Sequence, residues 1–553
     1  MPIVPLRDLG KLGVITDVDP FDLPIHAFSF AKNVRFEDNK VERGSVFRKV
    51  YDLGVEPKHI ASYDDHLGKG HPIVVTHTGS LYDLESGAPG VGVTPTGWSV
   101  GSSIGEVTVT SCQLQNVLYV NRSDSVPAYR PKDALKTTKF SLLKTDPTAG
   151  ALPGSKHWHD DWKCKVLRSM SGVLVALNVD KGPYHYGNMV KWSNFAIEAG
   201  KEPPDWDYAS TTSNAGENTL AEMDGEIVDG VKLRNRMYIY GTRETWLMEF
   251  IGGLDMFRFD RAFDRNVINT NCVVENDGIH YVFGTDDLWM HDGTQDKSLA
   301  TGVVRKFVFS SLRLDRKHQF FVTHNKRTNE VMFCYVSDDP YCKFPSQGGE
   351  GCNRGVIYNY AAQTFYFTDL PYVTASALVR PIAQGTSFEA FTGTFESVGG
   401  SFSAQDKEVK ENLTLAGVTG TGVGAALRTF EPYKEAASVF VLDEAANGPA
   451  LLIREGIDAD ELQAELRGYK LISSIYPQGR LDTDALPIEF SFGTYDHVEE
   501  APDYGDPQTW DRTYYKLDFN QAGRYLAYKI EQKDFKPFSF SGFDFDVTIL
   551  GRY

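Results

Sequence analysis

The feature that most constrains this chain is a pair of short apolar runs that keeps returning. Six first runs can be aligned: Ile73-Val74-Val75, Val117-Leu118-Tyr119-Val120, Val173-Leu174-Val175-Ala176-Leu177, Met237 to Tyr240, Ile279 to Phe283, and Val331-Met332-Phe333-Cys334-Tyr335. Their starts lie 42 to 64 residues apart. Each is followed by a second run that usually carries an aromatic: Leu81-Tyr82, Tyr129, Val190-Lys191-Trp192, Trp246-Leu247, Leu288-Trp289-Met290 and Val356-Ile357-Tyr358. Short β-branched and aromatic runs bounded by Gly and Asp are strand signals.

The unit is clearest between Val231 and Gly293, where two hairpins are predicted. Met237-Tyr238-Ile239-Tyr240 turns at Gly241-Thr242-Arg243 into the run from Thr245 to Phe250; Ile279 to Phe283 turns at Gly284 to Asp287 into Leu288-Trp289-Met290. A repeat of this length with several strands per unit is the pattern of propeller blades, each too small to bury both of its faces alone. Trp-Asp occurs at Trp206-Asp207 and Trp510-Asp511 and Gly-Gly at Gly252-Gly253, Gly348-Gly349 and Gly399-Gly400, none at the regular spacing of a Trp-Asp or kelch signature. The expected fold is mainly β: an irregular β-propeller of about six or seven blades, with an N-terminal arm and a small inserted or appended domain containing a helix.

Residues 1–55 read as an N-terminal docking arm and first hairpin. Pro20 and Pro24 pin an extended approach, and Val34-Arg35-Phe36 and Lys40-Val41-Glu42-Arg43 flank a turn. Residues 56–384 form the propeller-like repeat body. Residues 385–470 change texture to Gly, Ser, Thr and Ala and read as an inserted small domain. Its helix near 459–467 is signalled by a capping box at Asp458 and Glu461, by Leu462 and Leu466 on one face, and by Gly468 at the end. Residues 471–553 are C-terminal strands completing the β body. Apolar alternation there slips by one at Gly542, which predicts a bulge or crossover.

The 553 residues include 56 basic and 74 acidic side chains, a net charge of −18. Gripping nucleic acid requires Lys and Arg to displace counterions, so an acidic chain is a poor nucleic-acid clamp. No basic patch with interleaved aromatics occurs. No run of 18 apolar residues exists, so no membrane span is expected. The start, MPIVPLRDLGKLG, lacks the pattern of a secretory signal. Cys112, Cys164, Cys272, Cys334, Cys342 and Cys352 are too scattered for a disulfide framework, which fits folding in a reducing cytosol.

Candidate chemistry is sparse. His157, His159 and Asp161 would share a face if their segment were a strand, giving three metal ligands without a fourth; a wet polar turn is the simpler expectation. Cys334, Cys342 and Cys352 are spaced too widely for a zinc knuckle and read as buried or half-buried thiols. The pairs Asp286/Asp287, Asp338/Asp339 and Asp544/Asp546 could serve glycoside hydrolysis, but Asp-rich turns explain them, and the aspartate box of sialidase propellers is absent. Gly417 to Gly424 lacks the Lys-Ser/Thr ending of a phosphate loop and reads as a linker or tip loop. No catalytic, cofactor-binding or metal-binding residue is assigned, no cofactor is expected, and the chain is not expected to be an enzyme.

Three segments share a resemblance. Pro20-Phe21-Asp22-Leu23-Pro24 with Ala27-Phe28-Ser29 and Asn33-Val34-Arg35-Phe36 resembles the opening of the tail nozzle proteins of short-tailed bacteriophages. These are also called tail tubular protein B and are related to packaged-DNA stabilisation proteins. Trp192-Ser193-Asn194, Pro203 to Trp206, Trp246 to Gly253 and Asp277 to Gly293 are similar to the family's central region. Gly523-Arg524-Tyr525-Leu526 and the stretch from Ser541 to Arg552 are similar to its last strands. Nothing in 385–470 contributes. The resemblance implies a structural virion subunit, six copies forming a homohexameric ring that prolongs the DNA channel below portal and adaptor. That ring retains the packaged genome and conducts it during ejection. The implied location is the viral tail, assembled in the host cytoplasm. The implied partners are other copies of the chain, the tail adaptor, tail fibres or spikes, and DNA passing through the lumen without specific binding. The alternative readings are a carbohydrate-binding or carbohydrate-cleaving β-propeller acting on the host surface, and a propeller serving as a protein-interaction hub.

Overall fold

The structure is a computed structural model describing residues 3–551 apart from 65–69, 86, 89, 131–133, 144–156, 199, 202, 204, 254, 380–411, 434–440, 459–467 and 498. All six first runs are strands, and each occupies the same place. They fall in Gly70–Thr76, Val117–Arg122, Val173–Lys181, Arg236–Gly241, Ile279–Phe283 and Glu330–Tyr335, and each is the second strand of a four-stranded antiparallel meander. A second strand has neighbours on both edges and packed layers on both faces. These strands are therefore buried almost throughout, which is why they read as continuous apolar runs. The aromatic second runs lie in or beside the third strands.

Five meanders are separate sheets, starting with Pro57–Asp64, Val109–Leu114, Trp162–Met170, Ile227–Leu233 and Val273–Asn276. The turn into the second strand often uses two residues in the left-handed region: Gln115 and Asn116, Ser171 and Gly172, Asp277 and Gly278. Such turns match the twist of the strands they join. A sixth meander comprises Phe321–Asn325, Glu330–Tyr335, Cys352–Asn359 and the first part of Thr364–Val379. The long last strand changes partner near Tyr372, whose φ is 50°. Beyond it, residues from Val373 to Val379 pair with Asn412–Gly417, which pairs with Ala426–Glu431, which pairs with Val46–Asp52. Consecutive first strands pack side by side, and Thr364–Val379 returns to lie against Pro57–Asp64. The arrangement is propeller-like.

Segment 385–470 supplies four strands of the largest sheet: Asn412–Gly417, Ala426–Glu431, Val441–Leu442 and Ala450–Ile457. The expected helix near 459–467 lies outside the described residues. The α-helix among the described residues is Arg305–Ser311, followed by the 3-10 helix Leu314–Gln319.

The N-terminal and C-terminal segments build a second layered unit together. Val34–Glu37 and Lys40–Arg43 form the expected hairpin, with Asp38 and Asn39 both left-handed at its turn. It continues through Phe538–Gly551 and Tyr469–Leu481 to Leu517–Gly523, and Ile3–Leu6 also pairs with Phe538–Gly551. Facing this sheet are Ala450–Ile457, Tyr525–Gln532 and Ile488–Tyr495, joined to the body by Phe30–Lys32. Aromatic rings fill the space between: Phe543 lies 5.2 Å from Tyr528 and 5.8 Å from Phe492, and Phe540 lies 5.7 Å from Phe490. The pairing register shifts beside Gly542, where the alternation slips. A Cβ there would strike the Leu6 carbonyl.

A buried charge hub locks the two units. The Asp369 carboxylate accepts from Arg354 Nη1 (3.0 Å), Lys32 Nζ (3.0 Å) and Asn33 Nδ2 (2.8 Å), and Arg354 also grips Asp339. Burial alone would raise the Asp369 pKa, but Arg354 and then Lys32 hold it below the usual carboxylate range.

Candidate functional site

The first strands of the six meanders and the stretch beyond Val373 converge on a cavity of about 550 Å³. Its wall includes Lys58, His59, Cys112, Arg168, Lys232 and His318. Convergent polar groups in a cavity of this size are the default place to look for function.

Most of these groups are already engaged. Arg168 donates to both carboxylate oxygens of Asp229 at 2.8–3.0 Å and to Asn271 Oδ1 at 3.0 Å. Asn271 in turn donates from its backbone to Asp229 (2.8 Å) and from its side chain to the Val109 carbonyl (3.2 Å). One ion pair therefore ties the first strands of three neighbouring meanders, at 109–114, 162–170 and 227–233, to the start of a fourth. Lys58 donates to the Gly105 carbonyl, and burial lowers its pKa. His59 Nε2 sits 3.0 Å from the Ser111 hydroxyl. Burial, then Arg168 and Lys58, push that imidazole down to about 4. Among the described residues no carboxylate hydrogen-bonds its other nitrogen, so the pair lacks the orienting third group of a hydrolytic triad. Burial pushes the Cys112 thiol up to about 12, which keeps it out of the nucleophilic thiolate form.

The groups singled out from sequence also have structural partners. His157, His159 and Asp161 do not lie along a strand; they sit in the turn before Trp162–Met170. Asp161 donates its backbone N–H to His159 Nδ1 at 3.1 Å, while its own side chain is exposed. No cluster suited to a metal ion occurs among the described residues. Asp287 accepts from Arg265 and Ser298, Asp338 pairs with Arg313, Asp339 with Arg354, and Asp544 with Arg7. Cys334 and Cys352 are buried, Cys342 is half-buried, and all six cysteines are free. Gly417–Gly424 is not a linker: it joins two paired strands. Gly420 lies against the Tyr372 ring, with Val418 and Val423 in the same small cluster as Phe344.

The Val231–Gly293 stretch holds a buried relay that sequence reading missed. His280 Nε2 donates to the Lys232 carbonyl (3.1 Å), so its Nδ1 is bare and accepts from the Tyr240 hydroxyl (2.6 Å). The Gly293 N–H donates to His291 Nδ1 (3.2 Å), so His291 Nε2 carries the proton and donates to Tyr240 Oη (2.7 Å). Both rings are thereby fixed as neutral tautomers. Burial lowers His280 to about 4; burial and then His280 lower His291 to about 3. The only sequence signal was the presence of His280, His291 and Tyr240 in adjacent predicted hairpins.

No helix among the described residues is long and apolar enough to cross a membrane. No protein-family model and no curated protein matches the chain. Among solved structures it is similar to Chaetomium thermophilum Raptor, at 10% identity and a TM-score of 0.39, over 72% of this chain and 30% of that one. It is similar to the extracellular domain of the putative one-component system BT4673 from B. thetaiotaomicron, at 11% identity and 0.33, over 85% and 48%. It is also similar to BBS1N, solved in complex with ARL6DN, at 10% identity and 0.36, over 72% and 99%. The chain thus spans less than two thirds of the first two.

Proposed function

We propose that this chain is a structural subunit of a phage tail nozzle, built on a seven-bladed propeller. In this reading the seventh blade takes its inner three strands from 373–379, 412–417 and 426–431 and its outer strand from Val46–Asp52, so distant parts of the chain close the ring of blades. Six subunits form a ring that extends the DNA channel below portal and adaptor, retains the genome and conducts it at infection.

The observation that carries this is the ordered resemblance of three separated segments to nozzle proteins. Two of them meet in space: Phe21 packs edge-on against Tyr525 at 4.7 Å and Tyr495 at 5.8 Å, and Arg454 holds the Pro20 and Leu23 carbonyls. The engagement of the cavity and carboxylate groups in structural contacts supports a subunit that works by shape. An acidic chain, of net charge −18, suits a conduit that DNA must pass without sticking. Antibody raised to the full chain and applied to intact particles tests the reading. Label confined to the tail is expected, and label on the capsid alone or on no particle component refutes it.

A further inference from the structure

We propose a binding site for an acidic carbohydrate in the groove between strand Tyr469–Leu481 and the loop from Asp511 to Lys516. The groove encloses about 640 Å³. Its floor is aromatic. Tyr515 is 79% exposed and Tyr514 60% exposed, and Tyr515 lies stacked on Tyr476 with centroids 6.4 Å apart and planes 27° from parallel. A folded chain gains nothing by leaving two adjacent tyrosines in water, whereas ring faces of this kind receive the C–H face of a sugar ring.

The loop is held in shape. Asp511 Oδ1 accepts the backbone N–H groups of Thr513 (2.7 Å) and Tyr514 (3.1 Å), and the neighbouring Trp510 is buried. The rings are presented on a fixed turn, which lowers the ordering cost of binding.

The rim sets the charge of the ligand. Arg480 and Arg512 line the groove, both are exposed, and neither has an ion pair among the described residues. The groove's carboxylate, on Asp511, is engaged by its own loop, and nearby Lys516 is paired with Asp518. Two arginines lining the same groove as the tyrosines, without an ion pair among the described residues, complement a sugar that carries carboxylates. A neutral glycan would leave the guanidinium pair without a counter-charge.

The test is calorimetric titration of the full chain with hexagalacturonate and, separately, with cellohexaose. Hexagalacturonate should bind more tightly, and added salt should narrow the difference. Tyr515→Ala should weaken hexagalacturonate binding by roughly tenfold. The double change Arg480→Ser/Arg512→Ser should abolish the preference for the acidic probe; should Tyr515→Ala not fold, this double variant carries the test alone. Binding of neither probe overturns the proposal. So does unchanged binding in the folded variants, and so does a Tyr514→Ala/Tyr515→Ala variant that changes the mass of the assembly with probe binding intact, which assigns the surface to a protein contact.

Discussion

The charge hub at Asp369 and the tyrosine groove at Tyr515 use arginine in opposite ways. At the hub, Arg354, Lys32 and Asn33 converge on one buried carboxylate, and the charges are neutralised inside the chain. At the groove, two arginines and two tyrosines face water, and neither arginine has an ion pair among the described residues. Burying a charge is tolerable only when every partner is present, whereas an exposed group costs the fold little. The difference separates residues that hold this protein together from residues available to something else.

The largest expected effect therefore lies at the hub. Asp369→Ala leaves Arg354 and Lys32 facing each other without their shared counter-charge, and should cost about 3–5 kcal/mol in denaturant unfolding. A loss below about 1 kcal/mol would show that the hub is not the lock between the two units. Next is the relay. Tyr240→Phe removes the hydroxyl between two imidazoles and should cost roughly 1–3 kcal/mol. The relay should also appear in the pH dependence of stability. His280 and His291 stay neutral when folded and take up protons near the usual imidazole range when unfolded. Stability from this pair is complete above that range. It falls as pH drops below the range and towards about 4 and about 3, where the folded rings themselves titrate. Thermal scans from pH 7 to pH 4 should show a steeper loss in the parent than in a His291→Gln variant. The smallest effect belongs to the groove: Tyr515→Ala should change stability by no more than about 0.5 kcal/mol. A larger loss would move Tyr515 to the structural side of the comparison.

Much of the body could be read from sequence because second strands are the most deeply buried. Val117–Arg122 and Glu330–Tyr335 announce themselves by the apolar runs Val117 to Val120 and Val331 to Tyr335, since a polar residue there needs a buried partner, as Asn121, Arg122 and Glu330 at their ends have. The strands beyond Tyr372 escaped for the opposite reason. Asn412–Gly417 carries Thr, Ala and Gly among its leucines, small residues that fit a crowded sheet but look like a linker. Val46–Asp52 lies far from its partner Ala426–Glu431 in sequence, and no local pattern encodes that pairing. The cavity was illegible too. Lys58 and Arg168 come from the first strands of different meanders and His318 from the 3-10 helix Leu314–Gln319, and only the fold brings them together. The groove combines a strand with a loop more than thirty residues further on, so its tyrosines looked like ordinary strand residues.

The central claim is that this chain builds a conduit from copies of itself. Negative-stain microscopy of the purified full chain, alone and with the tail adaptor that the proposed nozzle requires, tests that directly. A nozzle subunit should form closed rings of six subunits with an open lumen, on adaptor if not before. A protein that remains a single subunit under both conditions would contradict it.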